Sequence, residues 1–172
     1  MRIIISRTDS IGDVVLTLPV AAALKKQLPG STVIFLGRDY TLPVISLSEF
    51  IDETAIWRPE WSGKSFADGV EMLKAMKADV ILHVFPDKNV CRSAKLARIP
   101  LRIATAGRIH TLLTCNRLLH IPRKNSNLHE AQLNLSMLKG LQLEYNYNIR
   151  EIAEMYGLRE PLIRKRFFSE EH

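Results

Sequence analysis

RIIISRTDSIGDVVLTLPVAAALKKQLPGSTVIFLG, residues 2–37, passes from one short apolar block to another through a polar loop and a segment with helical spacing. The first block, RIIIS at 2–6, and the second, TVIFLG at 32–37, are rich in β-branched residues and almost continuously apolar. Strands covered on both faces have that pattern. Between them, residues 14–27 carry apolar side chains at the intervals of a helix. A strand, a helix and a second strand in this order form a parallel pair joined by a right-handed crossover.

The alternation continues. TAIW at 54–57, DVILHVF at 79–85 and RIAT at 102–105 are further strand-like blocks, and residues 42–50, 66–76 and 89–97 have helical spacing between them. Residues 128–141 read as a longer helix packed on that body. The expected fold is α/β, a Rossmann-like open parallel sheet with helices on both faces. With 172 residues, 47% hydrophobic and 24% charged, the chain can bury a real core, which excludes a disordered polypeptide. No apolar stretch approaches the roughly 20 residues that span a bilayer, and the run after Met1 is too short for a signal-peptide core, so the expected location is the cytoplasm. The formal charge of +6 biases the surface towards anionic partners without choosing among sugar phosphates, acidic lipids and nucleic acid. Cys91 and Cys115 lack paired metal-ligand spacing and read as small core or surface residues. His83, His110 and His120 give no metal spacing either, and no metal is expected.

In an open α/β sheet the loop after the first strand borders the ligand crevice. Here that loop is RTDSIGD, residues 7–13, which matches neither G-x-G-x-x-G nor G-x-x-x-x-G-K-[ST]; dinucleotide and P-loop chemistry are therefore unsupported. Ser10 or Asp13 can cap the N–H groups that open the next helix, and Gly12 lets the backbone approach a ligand. Asp13 has two readings at this point. It is a first-turn acid that complements the helix dipole, worth about 0.3–1 kcal/mol, or it is a carboxylate that takes a proton in the crevice.

RIIISRTDSIGDVVLTLPVAAALKKQLPGSTVIFLGRD, residues 2–39, resembles the start of the bacterial lipopolysaccharide heptosyltransferases, glycosyltransferase family nine, in its Ser-containing loop, Gly-Asp-Val, Thr-Leu-Pro and the helix ending A-L-K-x-x-x-P. ADVILHVFPDKNVCRSAKLARIPLRIA and LHEAQLNLSMLKGLQL are similar to later parts of the same family. The resemblance implies one half of a GT-B arrangement, the N-terminal half that holds the acceptor. It implies that Asp13 is the base that deprotonates an acceptor hydroxyl, which then displaces ADP from ADP-heptose with inversion and without a metal or other cofactor. The expected acceptor is the lipopolysaccharide inner core, reached by peripheral contact with the inner membrane.

The same resemblance places Ser10 and Gly12 around the base, and Arg92, beside Ser93, near an acidic acceptor. Arg58 and Lys64 fall in the variable segment where relatives put basic residues for the acceptor. His129 matches the helix His and reads as a structural hydrogen-bonder. The likeness covers residues 1–160, against a usual family length about twice this chain. The expected organisation is an acceptor-side domain over 1–145 and a helical or linker segment over 146–172, with the donor-binding domain absent. A separate donor-binding domain or chain then becomes the expected partner, and without it the chain should be inactive. A non-catalytic sugar or phosphate binder is the remaining form of this reading.

A different class is carried by IREIAEMYGLREPLIRKRF, residues 149–167, in which Ala153, Gly157 and Ile163 are spaced as in a helix-turn-helix and Arg164-Lys165-Arg166 follow. Against DNA binding, Pro161 limits where a second helix starts and no supporting helices accompany the unit. Nucleic acid is not the expected partner.

Overall fold

The computed structural model describes residues 1–63, 65–123 and 126–159. In chain order its elements are β1 (Arg2–Ser6), α1 (Ile11–Val15), α2 (Leu18–Gln27), β2 (Thr32–Gly37), α3 (Leu42–Ile45), β3 (Glu53–Ile56), α4 (Phe66–Ala75), β4 (Val80–His83), α5 (Lys88–Leu96), β5 (Leu101–Thr105), α6 (Ile109–Thr114), β6 (Arg117–Leu119), α7 (Glu130–Leu135) and α8 (Ile149–Ala153). The strands form one sheet in the order β3-β2-β1-β4-β5-β6, every neighbouring pair parallel. The order reverses between β1 and β4. In a doubly wound sheet that reversal opens a crevice at the carboxyl ends of the strands.

Strand alternation divides the core in two. Ile3, Ile5, Val33, Phe35 and Leu82 point to one face, under α2, α7 and Ile152 of α8. Ile4, Ile34, Leu36 and Ile81 point to the other, where Leu73 of α4 and Val90 and Ala94 of α5 meet them. Both faces are covered, which is why these strands read as unbroken apolar runs.

Four local features depart from the expected pattern. The helix expected over 14–27 begins earlier and is broken: α1 ends at Val15 and α2 restarts at Leu18, with Pro19 in its first turn. Proline has no N–H to continue the helix ladder, so the break falls just before it. The helix expected over 128–141 becomes α7 followed by a 3₁₀ turn over Ser136–Leu141. There Gly140 lies so close to β5 that a Cβ would stand 2.6 Å from Ile103 Cγ2. Finally, β6 and α6 were not expected. β6 is a three-residue edge strand with two half-buried leucines, too short to give a period.

Residues 144–159 pack on the same body. Gln27 bonds Glu144 and the Tyr147 hydroxyl, and Ile152 is buried. Beyond α8, Gly157 takes φ +54° with the Phe50 ring where a Cβ would be, and Leu158 forms an antiparallel bridge with Ser48. Residues 149–159 therefore do not begin a helix-turn-helix: the helix has five residues, and the chain after Gly157 is extended along residues 47–49. Residues 160–167 of that reading lie outside the described residues.

Candidate functional site

β1 delivers the loop of residues 7–13 to the carboxyl edge of the sheet, beside the reversal of strand order. Ser10 caps α1, its hydroxyl oxygen accepting the Asp13 N–H at 3.3 Å and its O–H donating to Asp13 Oδ2 at 2.7 Å. Asp13 Oδ1 lies 2.8 Å from Arg7 Nη2. Both carboxylate oxygens are thereby oriented, while the side chain keeps 37% of its surface exposed. Gly12 has no left-handed φ, and a Cβ there would meet only Ser10 Oγ at 4.0 Å. The fold does not require glycine at position 12; the open space beside it faces outward.

Arg7 is the hub. It is buried, with Nε 2.8 Å from Asp9 Oδ1 and Nη1 3.7 Å from Glu130 Oε1 and 3.3 Å from Asn134 Oδ1. Arg123 pairs with the same Glu130 and donates to the same Asn134 oxygen. Asn134 in turn donates to Leu16 O and Thr17 Oγ1 at the break between α1 and α2. Buried charge persists only where it is paired and hydrogen-bonded, and Arg7 meets that condition through partners from the loop after β1, from α1 and from α7.

These groups line a crevice of about 580 Å³. Its walls are Arg7, Asp9 and Asp13 after β1, residues 84–86 after β4, residues 105–108 after β5, and Arg123 and Glu130 near α7. Arg108 stacks on the Phe85 ring at 5.5 Å. A neighbouring recess of about 430 Å³ at the ends of β2 and β3 holds Arg38, Tyr40 and Arg58. The Tyr40 hydroxyl donates to Asp9 O, so the two recesses share the loop after β1.

Of the three loop residues, Asp13 lines the crevice, while Ser10, which bonds Asp13, and Gly12 are outside its lining; Arg58 lines the neighbouring recess on the same edge of the sheet. Arg92 is not in the crevice lining; its guanidinium lies over Phe66 at 4.7 Å, which ties α5 to α4. Lys64 lies outside the described residues. His129 caps α7, its Nδ1 accepting the Ala131 N–H at 3.3 Å, in keeping with a structural role. Sequence reasoning passed over Arg7, Glu130, Asn134, Arg108 and Arg123. One signal was present: Glu130 and Asn134 are four apart, so they share a face of α7.

A cavity of about 600 Å³ between α2 and α8 is a poorer candidate. Its Lys25 is committed to Asp52 at 2.9 Å and to Ser31 O. Burial opposes ionisation of Asp52, but the Val33 N–H and the Lys25 ammonium together hold its carboxyl below the ordinary value.

No family profile matches the chain. A protein of Haemophilus influenzae assigned as a glycosyltransferase is 25% identical over 155 residues, covering 90% of this chain and 44% of that protein. Among solved structures, the E. coli heptosyltransferase WaaC with ADP superposes with a TM-score of 0.71 at 21% identity, over 90% of this chain and 52% of the other. A glycosyltransferase family 9 protein from Veillonella parvula gives 0.71 at 18%, over 83% and 41%. The E. coli ADP-heptose lipopolysaccharide heptosyltransferase II gives 0.66 at 15%, over 95% and 45%. The chain spans about half the length of these relatives. Its relatives in sequence and structure are glycosyltransferases, and its fold is that of the heptosyltransferases of glycosyltransferase family 9, with a span that fits the N-terminal half of such a protein.

Proposed function

We propose that this chain is the acceptor-side half of an inverting heptosyltransferase, acting with a donor-binding half to move heptose from ADP-heptose to the lipopolysaccharide inner core. In this reading Asp13 takes the proton from an acceptor hydroxyl, the oxygen bonds to the anomeric carbon from the face opposite ADP, and ADP leaves with its electron pair. The observation that carries it is the Asp13 carboxylate, oriented by Ser10 and Arg7 and still partly exposed, at the mouth of the crevice beside the β1–β4 reversal. Arg123 is neutralised by Glu130, and Arg108 and Arg58, which form no ion pair among the described residues, are the cations that edge offers an anionic acceptor.

Peripheral membrane contact belongs to the same proposal. No described helix is long and apolar enough to cross a membrane. α6 does present Ile109, Leu112 and Leu113 at 79%, 59% and 66% exposure, next to Arg108. Apolar side chains flanked by cations suit an anionic bilayer surface.

A non-catalytic sugar-phosphate binder is favoured by one observation: both Asp13 oxygens already have partners within the protein. Turnover separates the two. Incubated with ADP-heptose and a deacylated core acceptor, the chain alone should release no ADP, and a donor-binding half supplied in trans should restore acceptor-dependent release. No release with a donor half of demonstrated nucleotide-sugar binding would overturn the enzymatic reading.

A further inference from the structure

Beneath the crevice, three side chains that are far apart in spacing motifs meet in the interior. His83 ends β4, Cys91 lies in the first half of α5 and Cys115 follows the last residue of α6. One ring nitrogen of His83 and the two Sγ atoms all lie within 4.8 Å of one another. His83 and Cys91 are fully buried and Cys115 is 9% exposed. Among the described residues neither ring nitrogen of His83 has a hydrogen-bond partner, which is uncommon for a buried polar group. The polar neighbours are already engaged. Asp87 Oδ1 accepts the Asn89 and Val90 N–H groups, His110 Nε2 bonds Pro86 O, and the Thr114 hydroxyl donates to His110 O.

We propose that His83, Cys91 and Cys115 bind a zinc ion that pins α5 and the α6–β6 junction to the end of β4. Three atoms no more than 4.8 Å apart have a centre at most about 2.8 Å from each, against metal distances of about 2.3 Å for sulfur and 2.0–2.1 Å for nitrogen. The site therefore needs an inward adjustment of at most roughly 0.5–0.8 Å, within reach of small rotations about the side-chain bonds. Two thiolates and an imidazole are soft and borderline donors, which select zinc or copper(I) over hard cations. Charge decides between them. Two thiolates neutralise a divalent ion, whereas with copper(I) the buried cluster would keep a net negative charge. The ion gives one His83 ring nitrogen a partner, and it ties β4, whose following residues 84–86 form one wall of the crevice, to α5 and to the end of α6, the helix that starts just after the wall at residues 105–108.

The test uses the full reduced chain, stripped of metal and titrated with cobalt(II) as a probe. One equivalent should produce thiolate-to-cobalt charge-transfer absorption with the intense visible bands of an ion of low coordination number, and zinc should displace it. X-ray absorption at the zinc edge of the wild-type chain should show two sulfur neighbours and one imidazole nitrogen. Cys91→Ala and Cys115→Ala, checked for folding by circular dichroism, should each lose the cobalt bands and the rise in Tm on adding zinc. A wild-type chain that takes up no stoichiometric cobalt, or whose bound zinc has no sulfur neighbours, overturns the proposal whether or not the variants fold.

Discussion

Arg7 Nη2 sits 2.8 Å from Asp13 Oδ1, and the arginine is buried while the carboxylate is partly open to the crevice. The pair joins the end of β1 to the first turn of α1, and it makes the position of Asp13 a property of the core. Arg7 also holds Asp9 and faces Glu130 and Asn134, so one guanidinium organises the acidic rim from three elements.

Removing that guanidinium should therefore cost far more than removing a surface arginine. Arg7→Met leaves Asp9, Asp13 and Glu130 facing one another without the shared cation. Breaking a buried pair costs about 3–5 kcal/mol, and the partial exposure of the three carboxylates places the expected loss near the lower end. Arg7→Lys should recover only part of it, because one ammonium lacks the fork that reaches several oxygens. Urea unfolding of the two variants measures both; equal, near-zero losses would mean that Arg7 does not organise the rim.

At the opposite edge of the sheet, Asp52 accepts the Val33 N–H at 2.7 Å and pairs with Lys25. Its folded-state pKa lies below the ordinary carboxylate value. The contribution is then fully present above the unfolded pKa of about 3.9 and is lost as pH falls through the lower folded value. Asp52→Asn should lower Tm at pH 7, by an amount equivalent to about 1 kcal/mol. The gap to wild type should hold down to about pH 5 and close below about pH 4. A gap independent of pH down to 3 would show that the charge is irrelevant.

Gly157 gives a test of how the chain past α8 is held. Its φ of +54° is unfavourable for other residues, and an added Cβ would lie 2.4 Å from Phe50 Cε2. Gly157→Ala should destabilise by about 1–3 kcal/mol and raise hydrogen exchange at Glu49 and Arg159, whose N–H groups bond across this contact. Unchanged exchange and stability would mean the segment does not dock there.

β1, β2, β4 and β5 were legible because buried side chains on both faces leave an apolar run in the sequence, whereas β3, an edge strand without a buried residue, was marked only by the short TAIW block. β6 was not legible, since an edge strand of three residues with an exposed arginine has neither run nor period. Asp13 and Ser10 were legible because cap chemistry is local. Arg7 was not: its partner Asn134 is 127 residues away, and a strand-end arginine carries no mark of burial. His83, Cys91 and Cys115 escaped for the same reason, as only the crossover from β4 through α5 and α6 brings them together.

α6 should govern contact with lipid. Replacing Ile109, Leu112 and Leu113 by Ser removes the exposed apolar face without touching the core, so Tm should move little. Co-sedimentation with vesicles rich in anionic lipid should fall several-fold, and wild-type binding should weaken with salt because the flanking cations share the work. Equal sedimentation of both proteins would assign the apolar face to something other than a membrane.

Asp13 receives its decisive test from one isosteric change. Asn keeps an oxygen that can accept the Ser10 hydroxyl and caps a helix start about as well as Asp does, so Asp13→Asn should cost within about 1 kcal/mol from the helix dipole. Arg7 loses one of its anionic partners but retains Asp9 and Glu130, which limits the loss at the hub. What Asn cannot do is take a proton from the acceptor hydroxyl. With a donor-binding half present, loss of a general base typically lowers the rate about 10²–10⁴-fold, so kcat should fall by that factor while Tm and acceptor affinity stay close to wild type. A structural Asp13 predicts the reverse: acceptor-dependent ADP release within about a tenth of wild type or better, below the smallest effect expected of a base. That result would leave Asp13 as a first-turn acid paired with Arg7, and the crevice as a binding site without its catalyst.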